Sequence, residues 1–263
     1  MRSPLPRWLF AVAALAVLLA ALPLAGLAVR LPWAEVPELV SSETGRDAAL
    51  LSLRTCLVST LLCVVLGTPL AVVLSRSRGP MAALARIVTA LPMVLPPVVA
   101  GLALLITLGR TGVVGRHLSV LGIEIGFTTA AVVIAQTFVA MPFLVIALEG
   151  ALRSVDARLE RTAASLGASP TRVLTTVTLP LVLPALVAGA GMSFARALGE
   201  FGATLTFAGS LQGTTRTLPL EIYLSRETDT DTALALALLL IAAATVLMVV
   251  SALVARRAMV SRA

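Results

Sequence analysis

The apolar residues of this chain come in long runs. Six stretches are apolar for about 20 residues or more, which as helix is enough to cross the roughly 30 Å hydrocarbon core of a bilayer. They run from Trp8 to Val29, Leu50 to Leu74, Met81 to Leu108, Phe127 to Leu148, Leu179 to Leu198 and Thr232 to Ala255. Arg2 and Arg7 ahead of the first run give it the look of a signal peptide. A signal h-region is only about 7–15 residues, however, and this run exceeds that, so it is predicted to stay as an uncleaved anchor helix. The pattern predicts an all-α membrane protein of about six transmembrane helices. Residues 1–50 form an anchor helix with an outside loop, 51–254 a membrane core and 255–263 a tail. No long linker, low-complexity tract or internal repeat divides the chain.

The third run is not a plain apolar rod. It carries TALPMVLPPVVAG, with Pro92, Pro96 and Pro97. Proline removes a backbone donor and kinks a helix. In lipid the freed carbonyls need partners from neighbouring helices or a water-lined cavity. Two readings fit: a helix beside a pathway, or a kink that only shapes packing.

Composition agrees with the runs. Of 263 residues 59% are hydrophobic and 13% charged, and the mean hydropathy is +1.02. Soluble domains carry about 25% charged residues, so most of this surface faces lipid. All 20 basic residues are Arg. Without a Lys the chain has no P-loop to hydrolyse ATP and no Schiff-base chemistry. The net charge of +7 does not indicate nucleic acid, because the Arg are spread along the chain with no basic stripe and interleaved aromatics. They track topology instead. With the N-terminus inside, twelve lie on the cytoplasmic side: Arg2, Arg7, Arg76, Arg78, Arg86, Arg153, Arg158, Arg161, Arg172, Arg256, Arg257 and Arg262. Seven lie outside, and Arg196 falls in a membrane segment. Acids lean the other way, with Glu35, Glu38, Glu43 and Asp47 in the first outside loop and Glu227, Asp229 and Asp231 in the last. Both termini are therefore predicted inside. Cys56 and Cys63 lie on one helix about 10 Å apart, beyond the roughly 7 Å a disulfide spans. With His117 the only histidine, neither a metal site nor a cofactor is expected.

The largest cytoplasmic loop, Glu149 to Thr178, is not disordered in composition. Asp156 is placed to cap a helix. Ala163, Ala164 and Gly167 then fall close together on one face, edged by Glu160, and Gly167 is a natural stop. Ser169 and Pro170 restart a helix as cap and first-turn residue. The spacing predicts two short helices at an angle ahead of Leu179 and Pro180. Small residues on a face let another surface approach closely, so the loop reads either as a docking element for a partner or as an amphipathic connector on the membrane.

This loop resembles the EAA loop of ABC importer permeases, in which E-A-A, three residues and G are followed by nine residues, an aliphatic residue, one residue and L-P. Gly167 is followed by nine residues and then Val177, Thr178, Leu179 and Pro180, so the second half matches in full. In the first half Arg161 stands where the Glu is expected and Thr162 where the first Ala is, while Ala163 fits and Glu160 comes one residue early. FARALGEFGATLTFAGS (Phe194 to Ser210), TTRTLPLEIY (Thr214 to Tyr223) and LPMVLPPVVAG look like permeases for molybdate and, more loosely, sulfate. The resemblance spans roughly Leu51 to Leu253. It implies a type I importer permease fold in the cytoplasmic membrane of a prokaryote. It also implies a homodimer, cytoplasmic ATPase subunits and an extracytoplasmic binding protein that delivers an oxyanion, molybdate first, sulfate, thiosulfate or tungstate otherwise. The ATPase would dock at Glu160, Arg161, Ala163, Ala164, Gly167, Ala168, Leu179 and Pro180.

In the fifth run Arg196 and Glu200 are four apart, on one helix face. Ionisable residues in membrane helices usually face the bundle interior. The pair either gates the outer pathway or braces helix packing. Phe201 and Gly202 follow, and Gly199, Gly202 and Gly209 are expected to let this stretch bend. The other function class, a standalone secondary transporter or membrane enzyme, needs acids in mid-membrane or an acid–base cluster. Here Glu200 alone is near a span, and close to its end.

Overall fold

The structure is a computed structural model that describes residues 6–260. Arg2 and Arg262, counted above toward the cytoplasmic charge, lie outside the described residues, as do the side chains of Arg7, Arg256 and Arg257. Among the described residues the regular elements are all helices. In chain order they are α1 (Arg7–Arg30), α2 (Val36–Val40), α3 (Glu43–Arg76), α4 (Pro80–Val94), α5 (Pro97–Leu108), α6 (Gly115–Val120) and α7 (Thr129–Ser154). There follow α8 (Ala157–Ser165), α9 (Pro170–Val173), a π-turn (Leu174–Thr178), α10 (Leu179–Leu198), α11 (Gly202–Ala208), α12 (Leu218–Thr228) and α13 (Thr230–Val260).

Among the described residues five helices are long and apolar enough to cross a membrane unbroken: α1, α3, α7, the continuous helix Pro170–Leu198, and α13. The third expected span is different. It is a broken pair, α4 and α5, turned through 116°. Leu95 and Pro96 at the joint are both extended, each with ψ 135°. Consecutive prolines explain the break, since the residue before a proline is driven out of the helical region and neither ring nitrogen donates. The prolines thus give two helices, Pro80–Val94 and Pro97–Leu108, where the sequence predicts one kinked helix.

A second correction concerns the cytoplasmic loop. α7 continues to Ser154, so the non-spanning part begins at Val155. Ser169 restarts the helix as expected, but α9 is not a separate short helix. It runs through the π-turn into α10, so the fifth span starts at Pro170.

α7 is the hub, with α3 on one side and α10 on the other. Gly67 brings α3 against Leu144 and Val145, where a Cβ would lie 3.0 and 3.2 Å from their methyls, and Gly189 does the same for α10 against Leu144. Cys56, Cys63, Ala140, Leu144, Leu148, Phe194 and Ala197 fill the space between them. α1 by contrast has no fully buried residue from Trp8 to Arg30. Outside, the stretch from Gly209 to Tyr223 is pinned to the outer helix ends. Leu218 N donates to Ser52 Oγ of α3 at 2.7 Å, and Thr129 Oγ1 of α7 donates to Thr214 O at 2.9 Å. Arg216 Nη1 lies 3.3 Å from the buried Glu221.

α13 starts on a capping acid. Asp229 accepts from Thr232 Oγ1 (2.5 Å), Thr232 N (3.2 Å) and Asp231 N (3.1 Å). The Thr232 hydroxyl, more than the backbone donors, holds the carboxyl below its ordinary value of 3.8. A depressed folded-state pKa means that the cap is intact above 3.8 and is lost as pH falls below it. Amide exchange at Asp231 and Thr232 is expected to lose protection below that value, and Asp229→Asn, which has no carboxyl to titrate, is expected to abolish that pH dependence.

Candidate functional site

Two regions gather the residues singled out in the sequence. The first is the loop that the charge pattern predicts to be cytoplasmic. Val155 is extended, Asp156 caps α8 by accepting from Arg158 N at 2.9 Å, and Gly167 ends it with φ +86°. A positive φ strains any residue with a Cβ, so glycine is required there. Ser169 Oγ then accepts from Arg172 N. No residue of α8 is buried, and Leu166 at its tip is 84% exposed. Such an apolar tip on a helix outside the membrane suits contact with another surface.

Of the expected docking residues, Glu160, Arg161, Ala164 and Ala168 line one hollow of about 310 Å³ between α8 and the start of α9. Ala163 is half-buried on the inner side. Leu179 and Pro180 do not join them. They lie beyond the π-turn, in the first turn of α10 and on the span itself. Glu160 is also less free than expected. Its Oε1 accepts from Arg76 Nη2 at 2.8 Å and from Thr178 Oγ1 at 2.5 Å.

The second region is at the outer end of α10. Glu200 is 1% exposed and Arg196 is 28% exposed, with Arg196 Nη2 2.6 Å from Glu200 Oε2. Glu200 Oε1 accepts from Ala203 N at 2.8 Å, which satisfies a free donor at the start of α11. α11 packs on α5, and here the prolines of the third run meet the residues after Glu200. A Cβ on Gly202 would lie 2.7 Å from Pro97 Cβ, and one on Gly101 would lie 2.7 Å from Ala203 O. Gly202 therefore serves close approach, not the bending expected from the sequence. Gly209, at φ +73°, does need the left-handed region. Phe201 stacks against Tyr223, ring centroids 5.0 Å apart. Pro92 is buried in α4, while Pro96 caps α5.

Some participants were not legible. Arg86 of α4 donates from Nε to Glu149 Oε1 (2.7 Å) and from Nη2 to Leu74 O (2.5 Å) and Ser77 O (2.9 Å). Arg153 Nη2 reaches the same Glu149 oxygen at 2.7 Å. Arg86 and Glu149 are 63 residues apart, so no local spacing links them. Unpaired charges at the inner ends of apolar runs were the only signal.

The family described as "Binding-protein-dependent transport system inner membrane component" matches residues 64–260. The chain is 54% identical over 252 residues to the "Molybdenum transport system permease protein ModB" of Mycobacterium tuberculosis, covering 96% of this chain and 93% of that protein. It is 42% identical over 183 residues to the protein of the same name from Escherichia coli, covering 69% and 80%. Among solved structures it is similar to a chain of a bacterial alginate ABC transporter in complex with an alginate pentasaccharide-bound periplasmic protein. The TM-score there is 0.73 at 20% identity, covering 95% and 94%. It is also similar to a chain of the inward-facing MetNI methionine ABC transporter, with a TM-score of 0.61 at 19% identity, covering 80% and 94%.

Proposed function

The chain belongs to the family of binding-protein-dependent transport system inner membrane components, and from that premise we propose that it is the membrane-spanning permease of an ATP-driven importer that carries molybdate into the cell. The observation that carries the substrate is the 54% identity to a molybdenum transport permease along 96% of the chain. The chain is a multi-pass component of the cytoplasmic membrane and performs transport, not chemistry. With no Lys it cannot build a P-loop, so ATP hydrolysis falls to a separate cytoplasmic subunit.

The proposed cycle is alternating access. A binding protein delivers the oxyanion to the outer face, near α5, α11 and α12. Two copies of the chain enclose the pathway, with the exposed face of α5 (Val98, Val99, Leu102, Ile106) as a surface for the second copy. ATPase subunits grip α8 and the hollow beside Ala164 and Ala168. ATP-driven closure moves α8, and α8 moves α3, α7 and α10. Tight binding within the pathway would slow release, so transient sites suit it.

Reconstitution with the ATPase and binding protein in liposomes tests this reading. ATP-dependent uptake of molybdate in preference to sulfate is expected. Uptake by the chain alone would instead favour a secondary transporter. Gly167→Trp is expected to weaken ATPase co-purification at least about tenfold, because a residue with a Cβ at φ +86° costs about 1–3 kcal/mol and displaces the α8 tip. Normal docking and transport by that variant would remove α8 from the interface.

A further inference from the structure

We propose that Arg76, Glu160 and Thr178 form a strut that carries the motion of α8 into the membrane helices, so that these three are positioning residues for coupled transport. This inference rests on the importer reading above and adds the route by which force enters the bundle.

α8 needs such a strut. It is joined to α7 through extended Val155 and to α9 through Gly167 in the left-handed region. Neither joint is helical, so neither transmits a push stiffly. None of its residues is buried, so packing does not hold it either. Space lies on both sides of the ion pair. A hollow of about 470 Å³ is lined by Arg76, Arg78, Arg153, Ala157, Glu160 and Thr178. A second, of about 310 Å³, shares Arg76, Ala157 and Glu160 with it. The Arg76–Glu160 contact at 2.8 Å therefore stands between two hollows as the cross-member.

Each end of the strut meets something rigid or deformable in a useful way. Arg76 is in the last turn of α3, where a cation complements the helix carbonyls. That end is clamped: Arg86 holds Leu74 O and Ser77 O while pairing with Glu149 of α7. A force on Arg76 is thus passed to α3, α4 and α7 together. At the other end Thr178 Oγ1 donates to the same Glu160 oxygen. Thr178 closes the π-turn that opens α10, and π-turns inside helices are recurrent sites of functional distortion. Glu160, in the first turn of α8, so binds two spans at once, and is occupied within the chain rather than offered to the ATPase.

The test uses the assembled permease, ATPase and binding protein in liposomes, reading molybdate taken up per ATP hydrolysed. Arg76→Glu and Glu160→Arg are each expected to lower that ratio at least about fivefold in the complex that co-purifies, the ratio being counted per ATP hydrolysed by the bound ATPase. The double variant R76E/E160R is expected to return to within about twofold of the parent, as a restored pair should in a double-mutant cycle. A merely structural role would lower assembly and leave the ratio unchanged. Either single variant coupling like the parent overturns the strut, and so does a double variant no better than the worse single one. Should a reversal variant not assemble, Glu160→Gln and Thr178→Val are read in the same assay, where an unchanged ratio overturns the proposal and a lowered one supports it. A parent complex that takes up no molybdate would instead count against the substrate reading.

Discussion

Gly101→Val is expected to cost about 3 kcal/mol or more and to abolish uptake. Overpacking a tight contact typically costs about 1–3 kcal/mol, and more where nothing can yield. Here the obstruction is backbone: even a Cβ would lie 2.7 Å from Ala203 O and 2.8 Å from Ala203 Cα. A valine adds two methyls to that overlap, so α5 and α11 must separate. Separation would also break the seating of Gly202 on Pro97 and move the start of α11 away from Glu200. Glycine is otherwise the wrong residue for a helix interior, weaker than alanine by about 1 kcal/mol. Gly150 of α7 is the control, because a Cβ there meets nothing within 4 Å. Gly150→Ala is expected to raise stability by roughly 0.5–1 kcal/mol. Thermal unfolding in detergent reads both. Wild-type unfolding and uptake in Gly101→Val would mean that the α5–α11 crossing is looser than described.

The contrast between these two glycines marks where sequence reading stops. Apolar run length found the spans because it reports a one-dimensional requirement, the thickness of a bilayer. The fifth span was placed at its outer end, Leu198, but its continuous helix begins at Pro170 and not at Leu179. Caps were equally local: Asp156, Gly167 and Ser169 each act on residues within three or four positions of themselves. The Arg196–Glu200 pair was legible for the same reason. What failed was non-local. Nothing near Gly202 in the chain announces Pro97, over 100 residues earlier, as the surface it must approach. The partners of Glu160 come from the end of α3 and from the π-turn, so the acid that was read as a docking residue is tied down internally. The third span was legible only in part: its prolines predicted distortion, but no local spacing gives the 116° turn or the packing of α5 on α11.

The pair at the outer end of α10 tests whether a membrane charge gates or braces. Glu200→Ala is expected to cost about 3 kcal/mol. Removing one member of a buried pair costs about 3–5 kcal/mol, and the partial exposure of Arg196 places this case at the low end. Two losses add: Ala203 N is left without its acceptor, and Arg196 is left beside an apolar hollow of about 440 Å³ lined by Phe143, Met192 and Met248. Arg196→Gln is expected to be at least as damaging, because it leaves a carboxylate that is 1% exposed facing an amide instead of a cation. In both variants assembly with the ATPase and uptake should fall together. The combination R196M/E200Q separates the two roles. It removes both charges at once, which for a buried pair is often neutral, and the glutamine oxygen still accepts from Ala203 N. If the pair is a brace, assembly recovers and uptake returns to within about threefold of the parent, since no unpaired charge remains. If it is a gate, assembly recovers but uptake does not. The burial of Glu200 and its hold on the first turn of α11 favour the brace, and recovered uptake in the double variant is the result expected.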